Sequence, residues 1–268
     1  MTLSERNTFF KIGIIFSLIC ILLVLAASFS IVPFYSEMEH EANTVSFILE
    51  HDYIAVHSSI AMSVLFSLVG LLLIHSFFER TSAPEILYIA IFTISFSFEA
   101  LRLILPLHFM HNFPSVYLRF AARILLFARF FCIFSLFAAS ICAAGLDVQK
   151  NRNVIFVITI ATLIITLGVP IDVLNWNASM NMVNGFYSMF RWIELAVFIT
   201  TMISFLIAAK IRGTVEYNYV AIGILFAMTG RSILLNTDNW IGPVPGIVLL
   251  SFGTWLLCSK LHKIHLWL

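Results

Sequence analysis

The sequence predicts an all-α polytopic membrane protein, a single transmembrane helix bundle over residues 1–268 with no soluble domain. Hydrophobic residues make up 61% of the chain and charged residues 11%, and the mean hydropathy is +1.01. Soluble domains carry about 45–50% apolar and about 25% charged residues. The formal net charge of +1 also lacks the basic excess of a nucleic-acid binder. The composition therefore excludes a soluble enzyme, a disordered chain and a nucleic-acid partner.

Eight apolar segments account for most of the chain. Helix is the structure expected for them, because lipid leaves no partner for open backbone groups and about 20 residues of helix cross the hydrocarbon core. The segments are 12–32, 53–78, 86–107, 116–145, 153–174, 186–209, 218–235 and 243–259. Pro170 is expected to kink or end the fifth helix. The alternative is seven spans plus a re-entrant hairpin, because the last two segments are short and closely spaced.

The basic residues of the loops predict the orientation of the bundle. With eight helices, nine Lys and Arg residues fall on one side of the membrane and none falls in the opposite loops. Because cytoplasmic loops collect such residues, we predict that both termini are cytoplasmic and that the protein lies in the cell membrane. The nine residues are Arg6, Lys11, Arg80, Lys150, Arg152, Lys210, Arg212, Lys260 and Lys263.

The six remaining basic residues are all arginines inside predicted helices. Two acids accompany them at that depth, and each stands three residues from an arginine of its own helix, Glu99 before Arg102 and Glu194 after Arg191. Two such pairs leave an excess of four positive charges. Arg129 is the deepest, and its angle on the fourth helix directs it toward another neighbour, for example Glu99. The six are Arg102, Arg119, Arg123, Arg129, Arg191 and Arg231.

This charge distribution predicts a ligand site. An arginine at the membrane midplane costs about 2.5–3.5 kcal/mol on insertion scales, and its planar guanidinium suits carboxylate and phosphate. We expect one outward-opening cavity, oriented by Glu99 and Glu194, and we include His57 and Arg119 at its margin. The alternative is that arginines near helix ends extend to the lipid headgroups, and Arg119 fits this interpretation best. The expected lining arginines are Arg102, Arg123, Arg129, Arg191 and Arg231.

Histidines offer a second chemistry near the outer ends of two predicted helices. His57 lies early in the second, and His108 and His111 end the third. Their spacing matches no diagnostic metal motif, so no metal or cofactor is predicted, with a haem or metal ion on these three as the alternative. No HExxH, GxSxG, P-loop or GxGxxG motif occurs, so no catalytic residue is predicted.

The stretch from about residue 50 to residue 140 contains a series of short motifs. They comprise a Tyr and a His opening the second helix, an acid and a polar residue in the third, an aromatic-Pro pair and an aromatic-led Ala-Ala-Arg. The motifs are Tyr53 and His57, Glu99 and Arg102, Phe113-Pro114, and Phe120-Ala121-Ala122-Arg123. In these motifs the stretch resembles the third family of bacterial membrane-associated sensor domains. These are multi-helix modules that usually precede histidine kinase or diguanylate cyclase outputs.

The chain departs from this family at three positions. The family has an acid where Ala61 stands, a His where Arg102 stands, and an acid near Leu126. The resemblance implies a bacterial membrane sensor that signals to a cytoplasmic partner.

Three functions therefore remain open. The first is a sensor or ligand-binding module whose outer cavity takes an anionic or amphipathic small molecule or a lipid headgroup. The second is a transporter of an anionic substrate, with Glu99 or Glu194 as proton carrier. The third is a membrane enzyme acting on a phosphate-bearing lipid, for which no nucleophile or general base is identified.

Overall fold

The computed structural model describes residues 3–40, 51–78, 83–145 and 151–266, and it confirms the all-α fold class. The helices and two short strands follow in chain order. They are α1 Leu3–His40, α2 Tyr53–Phe78, α3 Pro84–Ser95, a 3₁₀ segment Phe96–Leu103, α4 Ile104–His111, α5 Ser115–Ala144, α6 Asn151–Gly168, β1 Ile171–Trp176, β2 Met182–Asn184, α7 Tyr187–Arg212, α8 Glu216–Asn236 and α9 Pro243–Leu266.

The helix lengths make the chain a multi-pass membrane protein. Among the described residues, seven helices are long and apolar enough to cross a membrane, with α3, the 3₁₀ segment and α4 counted together. The eighth apolar helix, α6, has 18 residues and a length of about 27 Å, and it is shorter than the seven candidate spans, so the count of eight spans stays a prediction. At 21 and 24 residues, α8 and α9 are both of spanning length, so the re-entrant alternative for this pair is not what the structure shows.

The fifth predicted span, 153–174, is wrong at its C-terminal end. Helix α6 stops at Gly168, two residues before Pro170, because proline has no N–H to continue the hydrogen-bond ladder. Residues 171–184 instead form an antiparallel β-hairpin of β1 and β2. Its turn is closed by Asn177, whose N–H donates to the carbonyl of Asn181 over 2.9 Å. In this turn Met180 has a φ of 54°.

The third predicted span is not a regular α-helix. Between α3 and α4, eight residues adopt 3₁₀ geometry, from Phe96 to Leu103. An interruption of this kind was not evident from the sequence. Because residues three apart eclipse one another in a 3₁₀ helix, Glu99 and Arg102 project from the same side of this segment. Together α3, the 3₁₀ segment and α4 form the most buried of the seven candidate spans, with 78% of their most apolar stretch buried inside the protein.

The two ends of the bundle are distinguished by their contacts. One end carries the β-hairpin, and we call it the hairpin end. There the N–H of Asp52 before α2 donates to the carbonyl of Asp238 after α8 over 2.9 Å. At the opposite end, Arg6 of α1 donates to the carbonyl of Phe78 over 2.7 Å, and the rings of Phe78 and His262 of α9 lie 5.3 Å apart. Helix α1 therefore begins at the end of the bundle where α9 finishes.

Helices α8 and α9 cross with their backbones in contact. A Cβ placed on Gly253 would lie 2.6 Å from the carbonyl oxygen of Gly223, and one on Gly230 would lie 2.7 Å from that of Gly246. Such small residues allow the close approach that drives helix association in lipid. No side-chain layer separates the two helices at these points.

We predict that Gly253→Ala destabilises the protein. The added methyl meets backbone atoms of α8, so the two helices must separate, at a cost of about 1–3 kcal/mol. Thermal unfolding in detergent measures the change. Gly168→Ala is the matched control, because a Cβ there meets nothing within 4 Å. Equal unfolding temperatures for the two variants would contradict the close crossing.

Candidate functional site

A buried carboxylate, Glu99, lies at the centre of the arginine cluster. The residue is 2% exposed, and it accepts two bonds from Arg129 of α5, Nε to Oε1 at 2.9 Å and Nη2 to Oε2 at 2.6 Å. Arg102 contacts the same carboxylate, with Nη1 3.7 Å from Oε2. The predicted pairing of Glu99 with Arg102 is therefore present, and so is the pairing with Arg129. One carboxylate is shared by two guanidinium groups.

The β-hairpin turn completes this cluster. Arg102 Nη2 donates to the carbonyl of Ser179, and Arg129 Nη2 donates to Oδ1 of Asn181 over 2.7 Å. The amide of Asn181 in turn donates to the carbonyl of Leu235 near the end of α8, also over 2.7 Å. The turn thus joins the 3₁₀ segment, α5 and α8. Sequence reasoning missed Ser179 and Asn181, although the Asn- and Ser-rich run 175–181 is a turn signal.

A second ion pair joins α7 and α8. Arg231 of α8 is 3% exposed and donates to Oε1 of Glu194, whose side chain is 37% exposed. The expected pairing of Glu194 with Arg191 on its own helix is wrong. The spacing rule considers only one helix, whereas the facing helix α8 supplies a guanidinium that is more deeply buried.

A cavity of about 350 Å³ lies between α5, α7 and α8. Arg129, Arg191 and Arg231 all reach it, together with Glu194. Arg129 and Arg231 are already bound to carboxylates, whereas Arg191 is exposed and forms no ion pair with any residue that the structure describes. Three of the five expected arginines therefore share one cavity, and one of the three is available to a ligand.

Two of the five expected lining residues lie elsewhere. Arg102 is 1% exposed and lies behind Glu99, where it binds the hairpin turn. Arg123 donates to the carbonyls of Thr166 and Leu167, the latter over 2.8 Å. These are among the last carbonyls of α6, which have no partner within the helix and favour a cation. Arg123 therefore caps a helix C-terminus.

The remaining expected residues are separate from the cavity. Arg119 is exposed in the second turn of α5, as its interfacial interpretation requires. His57 is 6% exposed, and its Nε2 lies 2.8 Å from the hydroxyl of Ser28 on α1. The ring of His111 stacks on that of Phe113 at 5.5 Å. Within the four described ranges, no three His, Cys, Asp or Glu side chains form a group suited to a metal ion.

Comparison with known proteins adds one relative. No family model matches the chain. An uncharacterized protein of Treponema pallidum (strain Nichols) is 21% identical over 239 residues, covering 71% of this chain and 69% of that protein. The resemblance to the sensor family stays a prediction.

We predict that Glu99→Gln strongly destabilises the protein. Removal of one partner leaves the buried Arg102 and the half-buried Arg129 without their shared carboxylate, and breaking a buried pair costs about 3–5 kcal/mol. Thermal unfolding in detergent measures the loss. Arg119→Gln changes an exposed charge and is the control, with an expected effect within about 0.5 kcal/mol. If both variants unfolded at the wild-type temperature, the central role of Glu99 would be refuted.

Proposed function

We propose that the protein is an integral-membrane ligand-binding module, a sensor, that holds an anionic amphiphile in the cavity between α5, α7 and α8. The observation that carries the proposal is Arg191, an arginine on the wall of this cavity with no ion-pair partner in the described part of the chain. A guanidinium at such a site favours a carboxylate or phosphate, which accepts two parallel hydrogen bonds.

The charges around the cavity support an anion. The cavity and the ion pair directly behind it contain four arginines, Arg102, Arg129, Arg191 and Arg231, and two carboxylates, so this cluster has two positive charges in excess. This is two fewer than the four expected from the sequence, because Arg119 lies outside the cluster and Arg123 binds the end of α6. A neutral ligand would displace water from these cations without compensating them, which is unfavourable.

The other walls of the cavity favour an apolar tail on the same ligand. Phe190 and Phe198 of α7, Leu126 of α5 and Met228 of α8 line it with hydrocarbon. A volume of about 350 Å³ lies within the range of small-molecule sites, which combine apolar walls with a few polar groups. An amphiphile with a carboxylate or phosphate head satisfies both parts of the lining.

We place the hairpin end outside the cell and the opposite end in the cytoplasm, on the distribution of Lys and Arg between the loops. The ligand then enters from the outer face of the cell membrane. Helix α7 carries Arg191 and Glu194 near one end, and its other end contacts α5, where Arg212 donates to the carbonyl of Cys142 over 3.4 Å. A ligand-dependent shift of α7 reaches a cytoplasmic signalling partner by this route.

A transporter of an anionic substrate is the second candidate, and one observation favours it. The 3₁₀ segment interrupts the third span at Glu99 and Arg102, and interrupted helices mark the binding sites of many transporters. Glu99 or Glu194 is the proton carrier in this mechanism.

We expect Arg191→Gln to weaken binding of lysophosphatidic acid by at least about tenfold, because charge-assisted hydrogen bonds contribute about 1.5–3 kcal/mol. Native mass spectrometry of the purified protein measures the bound fraction. Arg119→Gln is the control, since this exposed arginine lies outside the cavity. Equal loss in both variants, or no binding by the wild type, refutes the proposal.

A flux assay separates the candidate functions. If the protein is a sensor, proteoliposomes accumulate no labelled lysophosphatidic acid beyond the amount bound at one site for each protein. Accumulation by the wild-type protein that depends on a proton gradient across the membrane identifies the transporter instead. Release of phosphate or of the acyl chain identifies the third class, an enzyme.

A further inference from the structure

A second cavity, of about 380 Å³, lies between α2 and α9 with Thr93 of α3 at its floor. It is separate from the arginine cavity and shares no lining residue with it. Gly70 keeps this floor open, because a Cβ on Gly70 would lie 2.8 Å from the side chain of Thr93. We name the space the α2–α9 groove.

The position of the groove matches one leaflet of a bilayer. Its α2 wall runs from Phe66 to Phe78, the last residue of that helix, and its α9 wall runs from Ser251 to His262. At 1.5 Å per residue the α2 wall is about 18 Å long, close to half of the roughly 30 Å hydrocarbon core. Both walls belong to the halves of α2 and α9 that lie farthest from the hairpin end of the bundle. At this depth, the molecules outside the protein are lipid chains.

The two walls differ in chemistry. The α2 wall is hydrocarbon, with Leu73 and Phe77 half exposed or more at its edge. The α9 wall presents hydroxyl groups of Ser251, Thr254 and Ser259. Among the described residues that line the groove there is no Asp, Glu, Lys or Arg. The lining therefore suits an uncharged ligand with an apolar chain and hydrogen-bonding groups.

His262 supplies a polar contact at the end of the groove. Its Nδ1 is buried and has no hydrogen-bond partner among the described residues, while its ring meets the edge of Phe78 at 5.3 Å. A buried nitrogen without a partner is unfavourable unless a ligand or water satisfies it. His262 lies near the end of α9 and against Phe78, the last residue of α2, so we expect the headgroup level of the leaflet to lie beside its ring.

We propose that the α2–α9 groove binds one uncharged, single-chain lipid from the membrane leaflet farthest from the hairpin end of the bundle. The chain lies along Leu73 and Phe66 of α2, and the hydroxyl head bonds His262 and Ser259 of α9. This ligand differs from the anion proposed for the arginine cavity, so the two sites are independent in chemistry.

The test uses the full-length protein in phosphatidylcholine nanodiscs with a photoreactive diazirine monoacylglycerol. We expect saturable labelling by the monoacylglycerol at residues 66–78 and 251–262. We expect a fatty acid of the same chain length to bind the groove more weakly. Ser251→Phe fills the groove and is expected to abolish saturable labelling. Val248→Phe is the matched control, because Val248 is 58% exposed on the same helix and does not line the groove.

Further variants test the head contact and the independence of the sites. His262→Ala is expected to weaken the monoacylglycerol about fivefold, as loss of one hydrogen bond does. Ser259→Ala removes the other proposed hydrogen bond to the hydroxyl head of the lipid without altering the His262–Phe78 ring contact. Arg191→Gln is expected to leave labelling unchanged, so failure of the arginine site does not affect this result. Any one of four results would overturn the proposal. They are labelling spread evenly over α1, α7 and α9, identical labelling curves for Ser251→Phe and Val248→Phe, preferential labelling by the fatty acid, and cross-links between two copies of the chain through the groove.

Discussion

The arrangement of the bundle around its charged centre depends on one buried carboxylate. Glu99 accepts bonds from Arg129 and contacts Arg102, and both guanidiniums then reach the hairpin turn. The free-energy cost of moving these charges out of water is offset only if their remaining N–H groups also find hydrogen-bond acceptors. The carbonyl of Ser179 and the amide oxygen of Asn181 each accept one such N–H group, whereas Nε and Nη1 of Arg102 have no hydrogen-bond partner among the described residues. Because of this requirement, a polar turn packs against helices whose other surfaces favour lipid. The same contacts determine where the 3₁₀ segment, α5 and α8 meet.

The two larger cavities show how the same bundle separates two chemistries. Their volumes are similar, about 350 and about 380 Å³. The first lies between α5, α7 and α8 and is lined by Arg129, Arg191 and Arg231. The second lies between α2 and α9 and is lined by neutral side chains alone, within the described residues. Charge therefore distinguishes the sites more than size does, because an ion is costly wherever a matching partner is absent.

Local sequence rules predicted much of the helical framework. The predicted span 53–78 coincides with α2, and Pro170 marks the end of α6, because hydrophobic length and proline act through the chain's own neighbours. The partner of Glu194 was not predictable in this way. Arg191 is nearest along the helix, but α8 places Arg231 opposite. Arg123 likewise binds carbonyls 43 and 44 positions away. Such contacts depend on how helices pack, which periodicity within one helix does not report.

The backbone contact between α8 and α9 has a mechanical consequence. Where Gly223 meets Gly253 and Gly230 meets Gly246, no side chain is available to rotate and absorb displacement. We therefore expect the two helices to keep their positions relative to each other. Arg231 belongs to one member and His262 to the other, so one closely packed pair of helices supplies a wall of each cavity.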